Sequence, residues 1–535
     1  MRTGRTIFSD WRFWIFAALC GGLAYWFVNA VFAPLNQDEG WYLLAAQNVA
    51  LRGQVPYRDF LFTQGPVFPY VYAWLHPLWG GMGVLGGRFL SAAFGFLAAV
   101  LAADAARLAV SETHREKGAA AFFAVFSLTA FLPDFNSFTA ITKTYAISAL
   151  LLSLGFRLLA TRDLAWYKGL TAGICFAAAA GTRISLCVVA ASLWVVLVAD
   201  DIAARKTRRL RQCPSLWMAI GCLLFLLPVY GTILLTEAER FFFSQSYHTA
   251  RSGSGLMGWL VLRAGFVSLS LQGAYPLFLA ACLIPVLPGR LRWHALPPVV
   301  RGAGVAFAAM TLVHLLTPFP YNDYNTPVLP VGALFVGSCL CLRLPELRTR
   351  FALSALSAAA CFCLASPLCM KWVGGEQHLF WFTTDAIPQV FRLREAGAWI
   401  RANNPEGAPL FAQDAYLAVE AGCPVEPGME MGPFSLFPGL SDEQACKHHC
   451  HTPSTLVRAL ETTPATVAAV SGYTFAIACP STDPVPGETR QALLSALERR
   501  FGKPVAEVPS FGQQRTTLRL YVRDREHPAS APAAE

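Results

Sequence analysis

The chain has 535 residues, of which 55% are hydrophobic and only 14% charged, a balance that excludes an ordinary soluble protein of this length and points to an integral membrane protein. Its formal net charge is +9. The basic residues are set in alternate short loops between apolar runs, a placement that argues against nucleic acid as the partner.

A bilayer core about 30 Å thick needs about 20 mostly apolar residues per helix. Runs of this kind are predicted at 13–33, 84–110, 119–133, 142–160, 168–182, 184–200, 214–236, 264–287, 299–317, 326–342 and 351–370, eleven in all. The first is too long for a cleavable signal, has a poor small-residue cleavage site and is followed by further spans. Arg2, Arg5 and Arg12 precede it, and Arg115, Lys117, Arg162, Lys168, the 205–211 cluster, Arg290, Arg292, Arg343, Arg348 and Arg350 all fall on the same side. The positive-inside rule makes that side cytoplasmic, so the N-terminus is expected in the cytoplasm and the C-terminal region outside.

The first outward segment runs from 34 to 83 and contains two helix-like pieces, about 39–52 and 67–79, both read as interfacial. Asp38 or Asn36 is the expected cap of the first, with Tyr42 on its apolar face. Two adjacent carboxylates, Asp38 and Glu39, stand just beyond the first span, where charge is costly unless it faces a cavity or a partner. The plainer reading is a helix cap followed by a first-turn acid. Arg58 lies in the same loop, and Arg88 and Arg183 lie near outer ends of spans, where the positive-inside rule does not account for them. Such a group of arginines beside a carboxylate suits a phosphate at headgroup depth, against a plainer reading as cations snorkelling to lipid.

Asp134 and Lys143 flank the next outward turn, which also reads as an ordinary solvated turn. Glu237–Gly255 reads as an interfacial helix and loop carrying His248. Tyr321, Asp323 and Tyr324 occupy a short outward loop. Tyr42, Tyr57 and Gln64 complete the candidate substrate contacts. Asp38 and Glu39 are also hard carboxylates of the kind that suits Mg²⁺ or Mn²⁺, so a divalent cation is a candidate ligand, with metal dependence left open.

Beyond 370 the periodicity changes. A linker (371–384) is expected to precede an α/β domain (385–525) with helices near 389–404 and 488–502 and strands near 407–413, 465–472 and 516–524, then a disordered tail (526–535). The fold class is therefore a polytopic α-helical membrane module, 1–370, with a C-terminal α/β domain. Of 15 cysteines, Cys423, Cys446, Cys450 and Cys479 fall in that domain, and one or two disulfides are expected there. "CKHHCHTP", Cys446 to Pro453, has metal-ligand spacing as an alternative to a Cys446–Cys450 bridge. There is no phosphate-binding Walker loop, dinucleotide fingerprint or nucleophile elbow.

The stretch "NQDEGWYLLAAQNVALRGQVPYRDFLFTQGPVFPYVYAWL", followed by "GGRFLSAAFGFLAAVLAADAARL" and "AGICFAAAAGTRISLCVVAASLWVVL", resembles the C-type (GT-C) membrane glycosyltransferases. Within them it is similar to the bacterial group related to protein O-mannosyltransferases and the lipid A aminoarabinose transferases, the family 39-like enzymes. The resemblance covers residues 1 to about 370, and more weakly the tail. It implies transfer of one sugar from a polyprenyl (undecaprenyl) phosphate, on the outer face of the inner membrane, to a hydroxyl of a glycan, lipid or protein acceptor of the cell envelope. It also implies that Asp38 is the general base, that Glu39 is the adjacent acid and that Arg183 contacts the lipid phosphate. Relatives often carry Lys-Pro before the second interfacial helix where this chain has Gln64, Gly65 and Pro66, so Arg58 or Arg88 is expected to supply the missing charge. Two rival readings are a flippase for a lipid-linked glycan, which would need charges near mid-membrane and discontinuous helices, and a non-catalytic envelope-binding protein.

Overall fold

A computed structural model of the chain describes residues 11–111, 117–161, 165–204, 210–249, 255–286, 292–318, 320–343, 387–472, 485–513 and 515–523. The expected span at 351–370, the linker, the tail and Cys479 lie outside the described residues.

The remaining ten expected spans coincide with helices: α1 (Trp11–Phe32), α5 (Gly83–Ser111), α6 (Gly118–Ala130), α8 (Thr144–Leu159), α9 (Trp166–Thr182), α10 (Cys187–Ala203), α11 (Pro214–Thr236), α13 (Gly255–Val286), α14 (Pro298–Leu316) and α15 (Leu329–Arg343). Among the described residues seven helices are long and apolar enough to cross a bilayer. An eighth crossing results if α6 and the short helix α7 (Pro133–Ala140) count as one span bent by 64°. Pro133 explains the break, because a proline at the start of a helix ends the preceding one. The turn expected to be solvated here is instead α7, buried in the bundle: Asn136 hydrogen-bonds Asn29 of α1, and Thr139 accepts from the Trp26 indole at 2.8 Å.

The first outward loop folds as α2 (Gln37–Arg52), α3 (Val67–Trp74) and α4 (His76–Trp79). Asn36 caps α2, accepting from the Asp38 backbone N–H at 3.1 Å while Glu39 accepts from the Asn36 N–H at 3.0 Å, and Gly53 ends the helix at φ 64°. Asp38 is therefore not the cap, and its carboxylate is left for other work. The interfacial helix expected after the seventh span is α12 (Ala238–Thr249).

The C-terminal unit contains α16 (Gln389–Asn403), β1 (Leu410–Ala412), α17 (Ala415–Ala421), α18 (Asp442–Lys447), α19 (Pro453–Thr462), β2 (Val467–Val470), α20 (Gly487–Phe501), β3 (Ala506–Phe511) and β4 (Thr516–Val522). The strand order is β1-β2-β4-β3, with β1 and β2 parallel and the other pairs antiparallel. This unit has no separate core. Leu417, Leu410 and Val467 belong to the same apolar cluster as Leu43, Phe62 and Phe68 of the outward loop.

The expected Cys446–Cys450 bridge is not formed. His449 adopts a left-handed conformation, φ 54°, which turns Cys450 inward and leaves Cys446 exposed, and both thiols and Cys423 are free. The histidines of the motif also go elsewhere. His448 stacks on Phe243 of α12 with ring centroids 3.9 Å apart, and the His449 Nε2 lies 2.7 Å from the Arg58 carbonyl oxygen. Among the described residues there is no group of three or more side chains that could hold a metal.

Candidate active site

Successive residues of a helix point about 100° apart, and at the start of α2 that turn separates the two carboxylates. Glu39 is fully buried and faces Arg88 of α5 in a two-pronged pair, both N–O distances 2.7 Å. The other Arg88 N–H groups donate to the carbonyls of Ala30, Ala33 and Pro34 at 2.9 to 3.1 Å. All five guanidinium N–H groups are thereby used, and the Glu39 oxygens also accept from the Asn36 and Thr142 backbone N–H groups. The expectation that Arg88 holds a phosphate is corrected on this geometry: it has no donor left to offer. Glu39 likewise has no free oxygen for a cation, so the pair does not fit a divalent ion.

Asp38 turns the other way, its side chain 30% exposed, and lies 3.0 Å from Lys143 Nζ. Lys143, at the N-terminal edge of α8, also lies 3.0 Å from Asp323, which belongs to the 3-10 turn over Asn322–Val328 that leads into α15. The Trp41 indole N–H donates to the second Asp38 oxygen at 3.3 Å. Asp38, Lys143 and Asp323 thus form a chain of alternating charge drawn from three distant segments. An ammonium has three donors and two are used here, which leaves one for a ligand.

Arg183 stands beside this chain. It ends α9 in an extended conformation, and its guanidinium lies over the rings of Tyr145, at 4.9 Å, and Tyr324, at 5.1 Å. Aromatic faces hold a guanidinium in place by cation–π attraction without neutralising it. Tyr42 is buried within the electrostatic reach of Asp38, Lys143 and Arg183. Burial raises its phenol well above the ordinary value, Asp38 adds to the rise, and the two cations only partly oppose it. Tyr42 therefore stays protonated and can donate.

The structure brings together Asp38, Tyr42, Lys143, Arg183, Asp323 and Tyr324, with Tyr321 edge-on to Tyr324 at 5.5 Å. Arg58 and Tyr57 stand apart from this cluster. Arg58 is on the surface paired with Asp59 at 2.9 Å. Tyr57 is buried and donates to the Gln64 carbonyl, so its hydroxyl closes the loop between α2 and α3 rather than facing a substrate. Asp134 is buried against Gly273 of α13, where it hydrogen-bonds Asn322 and stands within electrostatic reach of Asp323, and the side chain of His248 lies outside the described residues. Sequence reasoning missed Tyr145, which hydrogen-bonds Asp323, and Trp41. A clue to both was their position, within three residues of Lys143 and Asp38.

The C-terminal unit grips the helix that carries Asp38. The Gln37 amide donates to Asp414 at 3.0 Å, and the Gln37 backbone N–H donates to Gln513 at 2.9 Å. Farther along α2, Gln47 donates to the Val419 carbonyl at 3.3 Å. Gly40 makes this possible: a Cβ there would come within 2.4 Å of the Tyr416 backbone nitrogen. Gly40→Val is expected to force α2 and α17 apart at a cost of about 1–3 kcal/mol. Limited proteolysis checks this, with the variant releasing the C-terminal fragment sooner than wild type; equal rates would mean that the contact is not closely packed in solution.

No family model and no curated protein sequence matches this chain. Among solved structures it is similar along nearly its whole length to ArnT from Cupriavidus metallidurans bound to undecaprenyl phosphate, with a TM-score of 0.58 and 16% identity over 95% of this chain and 98% of that one. The apo state of the same protein gives 0.57. It is also similar to the Archaeoglobus fulgidus oligosaccharyltransferase tethered to an acceptor peptide, with a TM-score of 0.50 and 12% identity over 97% of this chain and 75% of that one. The chain has the fold that these structures share.

Proposed function

We propose that the chain is an inverting glycosyltransferase that moves one sugar from a polyprenyl phosphate to a hydroxyl of a cell-envelope acceptor. The carrying observation is the alternating cluster Asp38, Lys143, Asp323 with Arg183 beside it. It combines a partly exposed carboxylate with two cations, one of them held between phenol rings. Further support comes from the likeness in fold to a protein with undecaprenyl phosphate bound.

In the reaction Asp38 takes the proton of the acceptor hydroxyl as its oxygen bonds to the sugar's anomeric carbon. The bond from that carbon to the phosphate oxygen breaks, and the phosphate leaves with the electron pair. Lys143, through its third N–H, and Arg183 stabilise the charge that grows on the leaving group. Tyr42 and Tyr324 orient the sugar, and a single displacement inverts the anomeric centre. The chain works in the bacterial inner membrane with its N-terminus in the cytoplasm and its C-terminal unit in the periplasm, where that unit keeps α2 in place.

The test is transfer from a panel of labelled undecaprenyl phosphate sugars to envelope fractions by the purified protein, with the anomeric configuration of the product read by NMR. Transfer with inversion is expected, reduced by about 10²-fold or more in Arg183→Ala. Retention of configuration, or no transfer from any donor, overturns the reading.

A further inference from the structure

A cavity of about 300 Å³ lies between α2, α4, α16 and α17, away from the Asp38 cluster. Its polar lining is Gln47, His76, Arg394, Arg401 and Glu420, and the glycine-rich turn at 80–83 supplies one wall. Gln47 is nine residues along α2 from Asp38, about 14 Å at 1.5 Å per residue. The cavity is therefore distinct from the reaction centre.

Its charge is arranged for an anion. Arg394, Ala398 and Arg401 line it from one face of α16, and seven residues of helix set the two arginines about 10 Å apart. Arg401 is already oriented, because it donates to the carbonyls of Glu420 at 2.5 Å and Ala421 at 3.3 Å. Arg394 is exposed and has no hydrogen-bonded or ion-paired partner among the described residues. Glu420 is the opposing charge: one of its oxygens accepts from the Val84 backbone N–H at the start of α5, 2.7 Å away, and the carboxylate stands within electrostatic reach of both arginines, so it offsets only part of their charge.

Two further observations narrow the ligand. Gln47 is 2% exposed, and its Oε1 is buried without a hydrogen-bond partner while its amide nitrogen is held by Val419. Such an acceptor is costly unless a donor reaches it, and a ligand hydroxyl would do so. The surroundings are apolar: Leu51 of α2 is 56% exposed, and Leu78 and Met82, at the start of the apolar stretch His76–Ser111, are 67% and 39% exposed. Large exposed side chains there belong at the lipid boundary.

We propose that this cavity binds the headgroup of an anionic lipid that carries both a phosphate and a hydroxyl, as a phosphoglycerol headgroup does. The phosphate is held by Arg394 and Arg401, the hydroxyl donates to Gln47, and the acyl chains run along the rim at Leu51, Leu78 and Met82. An arginine–phosphate contact of this kind is charge-assisted and among the stronger hydrogen bonds a protein makes.

Native mass spectrometry of the full chain in detergent tests this with phosphatidylglycerol, phosphatidylcholine and soluble glycerol phosphate as probes. Wild type is expected to retain phosphatidylglycerol about tenfold better than phosphatidylcholine and to lose that preference in Arg394→Glu, whereas Arg458→Glu, elsewhere on the same unit, keeps it. Arg394→Gln is the milder variant should charge reversal unsettle the fold, and the same loss of preference is expected. An unchanged preference in folded Arg394 variants overturns the proposal, as does its absence in wild type. Competition by glycerol phosphate at the same concentration as the lipid would assign the cavity to a soluble phosphate and overturn the lipid assignment.

Discussion

Arg88→Met is expected to be the most damaging single substitution in the membrane module. The side chain is fully buried, and its removal strands the Glu39 carboxylate together with three carbonyls that lose their donors. Removing one partner of a buried ion pair costs about 3–5 kcal/mol, and the orphaned carbonyls add to it. That is a large share of the roughly 5–15 kcal/mol that holds a typical domain together. The purified variant should aggregate or melt well below wild type when followed by size-exclusion chromatography after heating. Replacing both partners, Glu39→Gln with Arg88→Met, should recover part of the loss, because no buried charge is then left alone. A variant that melts like wild type but no longer transfers sugar would return Arg88 to the role of phosphate ligand.

The Glu39–Arg88 pair also marks where the sequence stops being informative. The order of apolar runs, the two interfacial pieces and the bounds of α2 follow from local patterns, since span length, capping and glycine stops each act within a few residues. The isolated position of Asp38 beyond a span was legible for the same reason. Partner choice was not. Glu39 and Arg88 are 49 residues apart and Lys143 and Asp323 are 180 apart, so reading along the chain grouped Asp38 with its neighbour Glu39, and Arg88 with Arg58 and Arg183 as outward cations. Folding divides them the other way, with Glu39 and Arg88 paired in the buried scaffold and Asp38 and Arg183 beside Lys143 and Asp323. In the C-terminal unit, β3 escaped notice because Pro509 reads as a strand breaker, yet it lies on an edge strand, where an unpaired position tolerates it. The helix α17 escaped because all seven of its residues are buried, which leaves no polar face to give a helical period.

The second large effect concerns Asp38→Asn. Asparagine keeps the size of the side chain and can still accept from Trp41, but it cannot take a proton, and it gives up the charge opposite Lys143. The rate of sugar transfer should fall by about 10²- to 10⁴-fold, the usual worth of a positioned general base. The fold should survive, because Asp38 is partly exposed and the cap of α2 is made by Asn36 and Glu39. Asp323→Asn is the informative comparison, since Asp323 touches the same ammonium at the same 3.0 Å. If Asp323 only steadies Lys143, its loss should raise KM for the donor more than it lowers kcat, whereas Asp38→Asn should act almost wholly on kcat. Equal kcat in Asp38→Asn and wild type would remove Asp38 from the chemistry and leave the cluster as a phosphate site alone. A kcat lost only in Asp323→Asn would move the base to Asp323, which the shared lysine makes the next carboxylate in line.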